Sequence, residues 1–200
     1  MIEKELATPE YYPLTLNALT LACNQKSNRF PVLHVSDADV KDAMLKLQQR
    51  KLCHTVYLNR SRSGRYQHHF DEKYGFSPEE KAIVCELFIR GPQTMGELNT
   101  HTARMVPIHS IEKIETCLNN LMGHMDGPYV KLLERQPGQK EPRYAHLFCG
   151  EEGLEELAAD THSSSPVTDK IEAILRRVEH LEGQVAELTV TVKELKKEDF

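Results

Sequence analysis

The sequence predicts an α+β chain, mainly α, built as two tandem winged-helix domains followed by a C-terminal coiled-coil helix. Three observations carry this expectation. The motif R-Y-x-H-x-F occurs twice, as Arg65, Tyr66, His68 and Phe70 and again, 78 residues further on, as Arg143, Tyr144, His146 and Phe148. The same signals precede each copy: capped amphipathic helices, a short run holding Val and Tyr, and a turn rich in Gly, Ser, Pro and Arg. Helices followed by a two-stranded ribbon with a basic tip is the order of a winged helix. Near the C-terminus, apolar residues recur at alternating spacings of three and four, the heptad signature. The boundaries follow: residues 1–75 for the first domain with its first helix truncated, 76–150 for the second, 151–167 for an acidic, Ser-rich linker and 168–198 for the coil.

Met1 to Leu6 reads as the end of a helix closed by Thr8 and Pro9, since Pro cannot continue a helix and biases the residue before it. A second helix spans about Thr15 to Gln25, with Leu16, Leu19 and Cys23 on one face. The loop Asn24 to Pro31 is polar and carries Lys26 and Arg29. Ser36 caps the third helix, Asp37 and Asp39 suit its first turn, and Val35 with Val40 has hydrophobic-staple spacing. Val40, Met44 and Leu47 face the core. Leu52 to Leu58 reads as a strand, Asn59 to Gly64 as its turn and Arg65 to Phe70 as the return, with Tyr66, His68 and Phe70 on one face.

The second domain opens on a capping box, Ser77 with Glu80, with Pro78 at the first helical position. Ile83, Val84, Leu87 and Phe88 form its stripe, and Gly91 with Pro92 ends it. Thr94 and Glu97 give a second box for a short helix through Leu98. Ser110 starts the third helix, with Ile111, Ile114, Leu118 and Leu121 on one side. Tyr129 to Leu133 is strand, Gln136 to Pro142 the wing, and Arg143 to Phe148 the return. In the coil, Ile171, Val178, Val185 and Val192 take the a positions and Ile174, Leu181, Leu188 and Leu195 the d positions. β-Branched a with mostly Leu d favours a parallel two-stranded coil, so a homodimer is expected, with Arg177 and Glu182 placed to pair across it.

Charge divides unevenly along the chain. The net −5 is made of +3 over residues 1–75, −1 over 76–150 and −7 over 151–200, far from the basic balance of a tight nucleic-acid binder. Five cysteines without a C-x-x-C pair, and no apolar leader, point to a reducing cytoplasm and a soluble protein with no membrane partner. Ten histidines show no H-x-x-x-H spacing, so neither metal nor cofactor is expected. Without G-x-S-x-G, a P-loop or a nucleophile with an evident base, the chain reads as no enzyme.

The candidate phosphate contacts are the wing cations, Arg60, Arg62 and Arg65 in the first wing and Arg135, Lys140 and Arg143 in the second. Lys26, Arg29 and Arg104 would extend these patches. Cations on flexible tips suit phosphate, although exposed turns are commonly charged for solvation alone. The repeated Tyr and His read as structural, which leaves function to the Arg. The third helices argue against groove reading: Asp37, Asp39 and Asp42 in the first domain would repel phosphate, and Glu112, Lys113, Glu115, Asn119 and Asn120 in the second are near neutral. Tyr11 and Tyr12, with the loop Asn24 to Arg29, make a candidate recognition surface.

The run Thr8-Pro9-Glu10-Tyr11-Tyr12-Pro13-Leu14, then Asn17-Ala18 and Ala22 through Arg29, resembles the YceH family of bacterial proteins. So do Arg90-Gly91, Gln93-Thr94, Gly96-Glu97-Leu98, Ala103-Arg104-Met105, Asp126-Gly127-Pro128 and Arg143-Tyr144 with His146-Leu147-Phe148. The resemblance covers the chain to about Gly150 and implies two winged-helix domains, without implying an activity. Family members begin earlier, with most of their first helix, which implies that helix one is truncated here. Two functions fit. The fold's usual employment slightly favours a DNA-associated or regulatory dimer using its basic wings; the alternative is a protein-interaction scaffold that uses winged helices without DNA binding.

Overall fold

The computed structural model describes residues 1–58, 63–108, 110–135 and 139–150. Arg60 and Arg62, His109, wing residues 136–138, the linker and the heptad segment with its dimerisation positions lie outside the described residues. Among the described residues the chain is α+β, with seven α-helices and two small antiparallel sheets. The first half runs α1 (Ile2–Ala7), a single 3₁₀ turn (Pro9–Tyr11), α2 (Leu16–Cys23) and α3 (Asp37–Gln49) into the hairpin β1 (Cys53–Val56) and β2 (Arg65–His68). A short helix, α4 (Phe70–Tyr74), leads into the second half. There α5 (Pro78–Arg90), α6 (Met95–Thr102) and α7 (Ile111–Met122) precede β3 (Val130–Leu132) and β4 (Tyr144–His146).

The local signals act where the sequence places them. Ser36, Ser77 and Thr94 each accept the N3 backbone N–H, while Asp39, Glu80 and Glu97 accept the N-cap N–H in return. Thr15 and Ser110 cap α2 and α7 from the side chain alone. Each such cap contributes about 1 kcal/mol by satisfying an orphan donor. Gly91 ends α5 at a φ of +72°, a left-handed value that a residue with a Cβ adopts only at a cost. In the loop between α2 and α3, the Asn24 amide takes both backbone groups of Val35, donating to its carbonyl and accepting its N–H at 2.8 Å each.

The repeated Arg-Tyr pair does the same structural job twice. Tyr66 exchanges two backbone hydrogen bonds with Leu14, at 3.2 and 2.7 Å, and Tyr144 exchanges two with Gln93, at 3.0 and 2.7 Å. Each bridge pins the residue just before the second helix of its half to the return strand. The arginines lock the same place. Arg65 donates to the Pro13 carbonyl at 2.9 Å and Arg143 to the Pro92 carbonyl at 2.8 Å.

Three details differ from the sequence expectation. Phe70 does not continue the return strand: β2 stops at His68, whose Nδ1 accepts the Phe70 N–H at 3.2 Å, and the chain turns into α4. Ile111 is 46% exposed, not a core residue, at the first position of α7, ahead of the buried Ile114, Cys117, Leu118 and Leu121. Helix α6 runs on to Thr102, with the Thr100 and Thr102 hydroxyls donating to the carbonyls of Gly96 and Leu98.

Two cores result. The smaller holds Leu14, Leu19, Val40, Met44 and Cys53. The larger is centred on α5, α6 and α7 and also takes Ile2, Leu6 and Ala7 from α1. The two motif phenylalanines, Phe70 and Phe148, meet there with ring centroids 6.2 Å apart, among Tyr74, Phe76, Phe88 and Tyr129. Truncating Leu118, which is fully buried, to Ala is expected to cost about 3 kcal/mol, whereas Ile111→Ala at its exposed site changes stability by no more than about 0.5 kcal/mol. Urea denaturation of the two variants checks the contrast, and equal losses would place Ile111 in the core.

Candidate functional site

Residues 81–87 of α5 are all buried, and two of them, Lys81 and Glu86, are charged. A buried charge is tolerated only when paired and hydrogen-bonded. Glu86 is met by Arg104, whose Nε and Nη2 donate to Oε1 at 3.1 and 2.6 Å, and by Arg90, whose Nε donates to Oε2 at 3.0 Å. Arg104 also donates through Nη1 to Glu3 at 2.5 Å, and Arg29 grips both oxygens of Glu3 while reaching the Ala22 carbonyl at 2.9 Å. Two carboxylates and three guanidiniums thus tie together α1, the loop after α2, α5 and the residues after α6. Burial opposes ionisation of Glu3, but the hydrogen bonds from Arg29 and Arg104 outweigh it and hold its carboxyl at about 2. For the fully buried Glu86, desolvation pushes the carboxyl upward against the pull of Arg104 and Arg90.

Lys81 is answered from two elements, by Glu5 of α1 at 2.8 Å and Asp71 of α4 at 2.7 Å. His68 Nε2 lies 3.0 Å from the same Glu5 oxygen. The imidazole beside it, opposed by partial burial and helped by Lys81, holds Glu5 at about 2. Tyr12 completes the cluster by accepting the His68 backbone N–H at 2.7 Å through its hydroxyl.

The cations named from the sequence therefore have different environments. Arg29 and Arg104 are brought together on Glu3 inside the fold. Arg65 and Arg143 hold proline carbonyls, and Arg143 also pairs with Glu97 at 3.1 Å. Lys26, Arg135 and Lys140 are exposed and have no carboxylate partner among the described residues. Arg60 and Arg62 lie outside the described residues. On the third helices, Asp37, Asp39 and Asp42 of α3 and Glu112, Glu115 and Asn119 of α7 are exposed, and Asn120 is hydrogen-bonded to Glu80 at 3.1 Å. No group of three or more His, Cys, Asp or Glu side chains among the described residues is placed to hold a metal ion.

A cleft of about 530 Å³ opens between α1, the 3₁₀ turn, α2 and β2. Lys4, Tyr11, Leu14, Ala18, Leu21 and Arg65 are among the residues that line it. Tyr11 and Leu21 are 67% and 65% exposed, an apolar surface that folding leaves uncovered. Tyr12 points the other way, into the Glu5–Lys81 cluster. Sequence reasoning picked out Tyr11 but not its neighbours Ala18 and Leu21, and missed the role of Glu86. One signal for Glu86 was present: a lone carboxylate inside the apolar run Ala82 to Ile89.

The fold and its ion pairs define an internally repeated α+β protein whose halves are joined through buried charges on one helix. No helix among its described residues is long and apolar enough to cross a membrane. The chain belongs to the YceH-type family described as protein of unknown function DUF480, whose model matches residues 1–139. It is similar to the UPF0502 protein of Aliivibrio fischeri strain ES114, at 44% identity over 98% of this chain and 90% of the relative. The UPF0502 protein of Vibrio vulnificus is likewise 44% identical, over 98% and 90%. That of Aeromonas hydrophila is 42% identical, over 98% of this chain and 92% of its own.

Replacing Glu3 by Gln is expected to cost about 3 kcal/mol near neutral pH, since it leaves Arg29 and Arg104 facing a neutral amide. The native carboxyl titrates below its unfolded value of 4.5, so this stabilisation is complete above that pH and is lost as pH falls toward about 2. Urea denaturation of both proteins across this range should show the gap closing with acid. A gap independent of pH would remove the ion pairs from the account.

Proposed function

We propose that this protein is a non-enzymatic tandem winged-helix adaptor that binds a partner protein. Each half supports the winged-helix reading: a helix, a one-residue bridge strand at Leu14 or Gln93, two further helices and a hairpin closing on the bridge. The observation that carries the adaptor reading is the surface of α3, the helix that enters a groove in DNA-reading members of this fold. Its exposed first turn presents Asp37, Asp39 and, one turn on, Asp42, while Arg29 and Arg104 spend their charge on Glu3 and Glu86. At that first turn a duplex would meet repulsion, although Lys41 and Lys46 are exposed on the same helix. The heptad spacing of residues 171–195 supports the pairing of two copies, which would present four such modules.

A nucleic-acid reading keeps two supports: Lys41 and Lys46 are exposed on α3, and so are cations of the loop after α2 and the second wing. Lys26, Arg135 and Lys140 are exposed and have no carboxylate partner among the described residues. Fluorescence anisotropy of the full chain with a labelled random duplex at two salt concentrations separates the readings. The adaptor predicts binding weaker than about 100 µM near physiological salt, with no added loss when Arg60, Arg62, Arg135 and Lys140 are changed together to Ala. Submicromolar, salt-steep binding abolished in that variant would overturn the adaptor in favour of phosphate contact by the wings.

A further inference from the structure

We infer that the cleft beside α2 receives a segment of a partner protein that brings a side-chain carboxylate to Arg65 and an apolar side chain to Tyr11 and Leu21. This rests on the adaptor reading and specifies what the partner presents. The argument comes from the internal repeat. The bridges Leu14–Tyr66 and Gln93–Tyr144, with the clamps from Arg65 to Pro13 and Arg143 to Pro92, put the starts of α2 and α6 in equivalent register against their return strands. In that register Thr15 matches Thr94 as N-cap, and Ala18 matches Glu97, each donating its N3 backbone N–H to the capping hydroxyl.

The two halves then part at one position. In the second, Glu97 completes the capping box and pairs with Arg143 at 3.1 Å. In the first, Ala18 has no carboxylate, and Arg65 pairs with none among the described residues. The Arg65 Nε is buried and lacks a hydrogen-bond partner. Arg65 lines the cleft, and among the described residues its terminal nitrogens bond only the Pro13 carbonyl, which leaves a charge-assisted bond for an incoming carboxylate. The neighbouring position changes in the same sense. Leu21 of α2 stands where α6 has Thr100, so the half that lacks the carboxylate gains an exposed apolar side chain.

The walls match the charge. Lys4 lines the cleft and has no carboxylate partner among the described residues, so the site holds two cations and an apolar surface. The cleft volume of about 530 Å³ lies within the range of ligand-holding pockets and admits side chains, not a folded domain. An acidic residue flanked by an aliphatic or aromatic one satisfies both features at once.

The test selects short random peptides displayed on phage against the full chain and measures the enriched peptides by fluorescence anisotropy. Enriched sequences should carry Asp or Glu close to an apolar residue. Ala18→Glu, which gives the first half the carboxylate of the second, should weaken them about tenfold by occupying Arg65 from within. Ala18→Gln, equal in size and uncharged, should cost much less, and Leu21→Thr should weaken binding independently. Ala18→Glu also completes the Thr15 capping box, so its melting temperature should equal or exceed that of the parent, which excludes misfolding as the cause. Enrichment of peptides without a carboxylate, no enrichment at all, equal effects of Glu and Gln at position 18, or displacement of the peptide by inorganic phosphate or the random duplex would each overturn the inference. Peptide binding that survives Ala18→Glu and Leu21→Thr refutes this cleft while leaving the adaptor standing; the adaptor itself falls only to tight, wing-dependent duplex binding.

Discussion

Burying α5 on all sides is the constraint on which the rest of the described structure depends. A helix enclosed by other elements normally carries apolar residues all round. This one carries Lys81 and Glu86 within its buried span, and neither is tolerable unpaired. Helix α1 therefore supplies Glu5 for Lys81 and, through Glu3, closes the arginine network around Glu86. The polar bonds specify where α1 lies, while Ile2, Leu6 and Ala7 add the apolar contact. The two halves are joined by geometry that a purely greasy contact would leave free to slide.

The internal repeat shows how one scaffold can hold two different surfaces. The Arg-Tyr pair builds the same bridge in each half because backbone hydrogen bonds and a carbonyl clamp are indifferent to the neighbouring side chains. Around that shared frame the halves diverge. The second settles its arginine internally with Glu97 and faces outward with Thr100; the first gives Arg65 no carboxylate among the described residues and exposes Leu21 and Tyr11. A duplicated module becomes specialised by changing which charges it satisfies from within.

Charge count alone is a poor guide to phosphate affinity in this chain. Arg29 and Arg104 look like available cations in a polar loop and after a short helix, yet their guanidiniums are consumed by Glu3 and Glu86. What remains outward on α3 is acidic at its start, with Asp37, Asp39 and Asp42, and carries Lys41 and Lys46 as well. The family membership adds extent to this picture, since relatives match over 98% of the chain, and the chemistry of the site has to be read from its own residues.

Local rules settled much of the architecture in advance. Ser36, Ser77, Thr94 and Ser110 start their helices from their side-chain oxygens, Gly91 stops α5 through its backbone freedom, and the R-Y-x-H-x-F repeat announces two equivalent units. These are interactions within four residues or repeats of a pattern, so a linear reading captures them. Tertiary structure decided the remainder. Whether Phe70 extends a strand or opens a helix depends on the His68 ring reaching back to its N–H; whether Arg29 faces water depends on Glu3, 26 residues earlier, and whether Arg104 does depends on Glu3, 101 residues earlier. That Arg65 meets no carboxylate among the described residues goes with Ala18, distant in sequence and brought near only by the bridge. Long-range pairing of charges leaves no periodic trace along a chain, and for that physical reason the cleft and the ion-pair network became visible only in three dimensions.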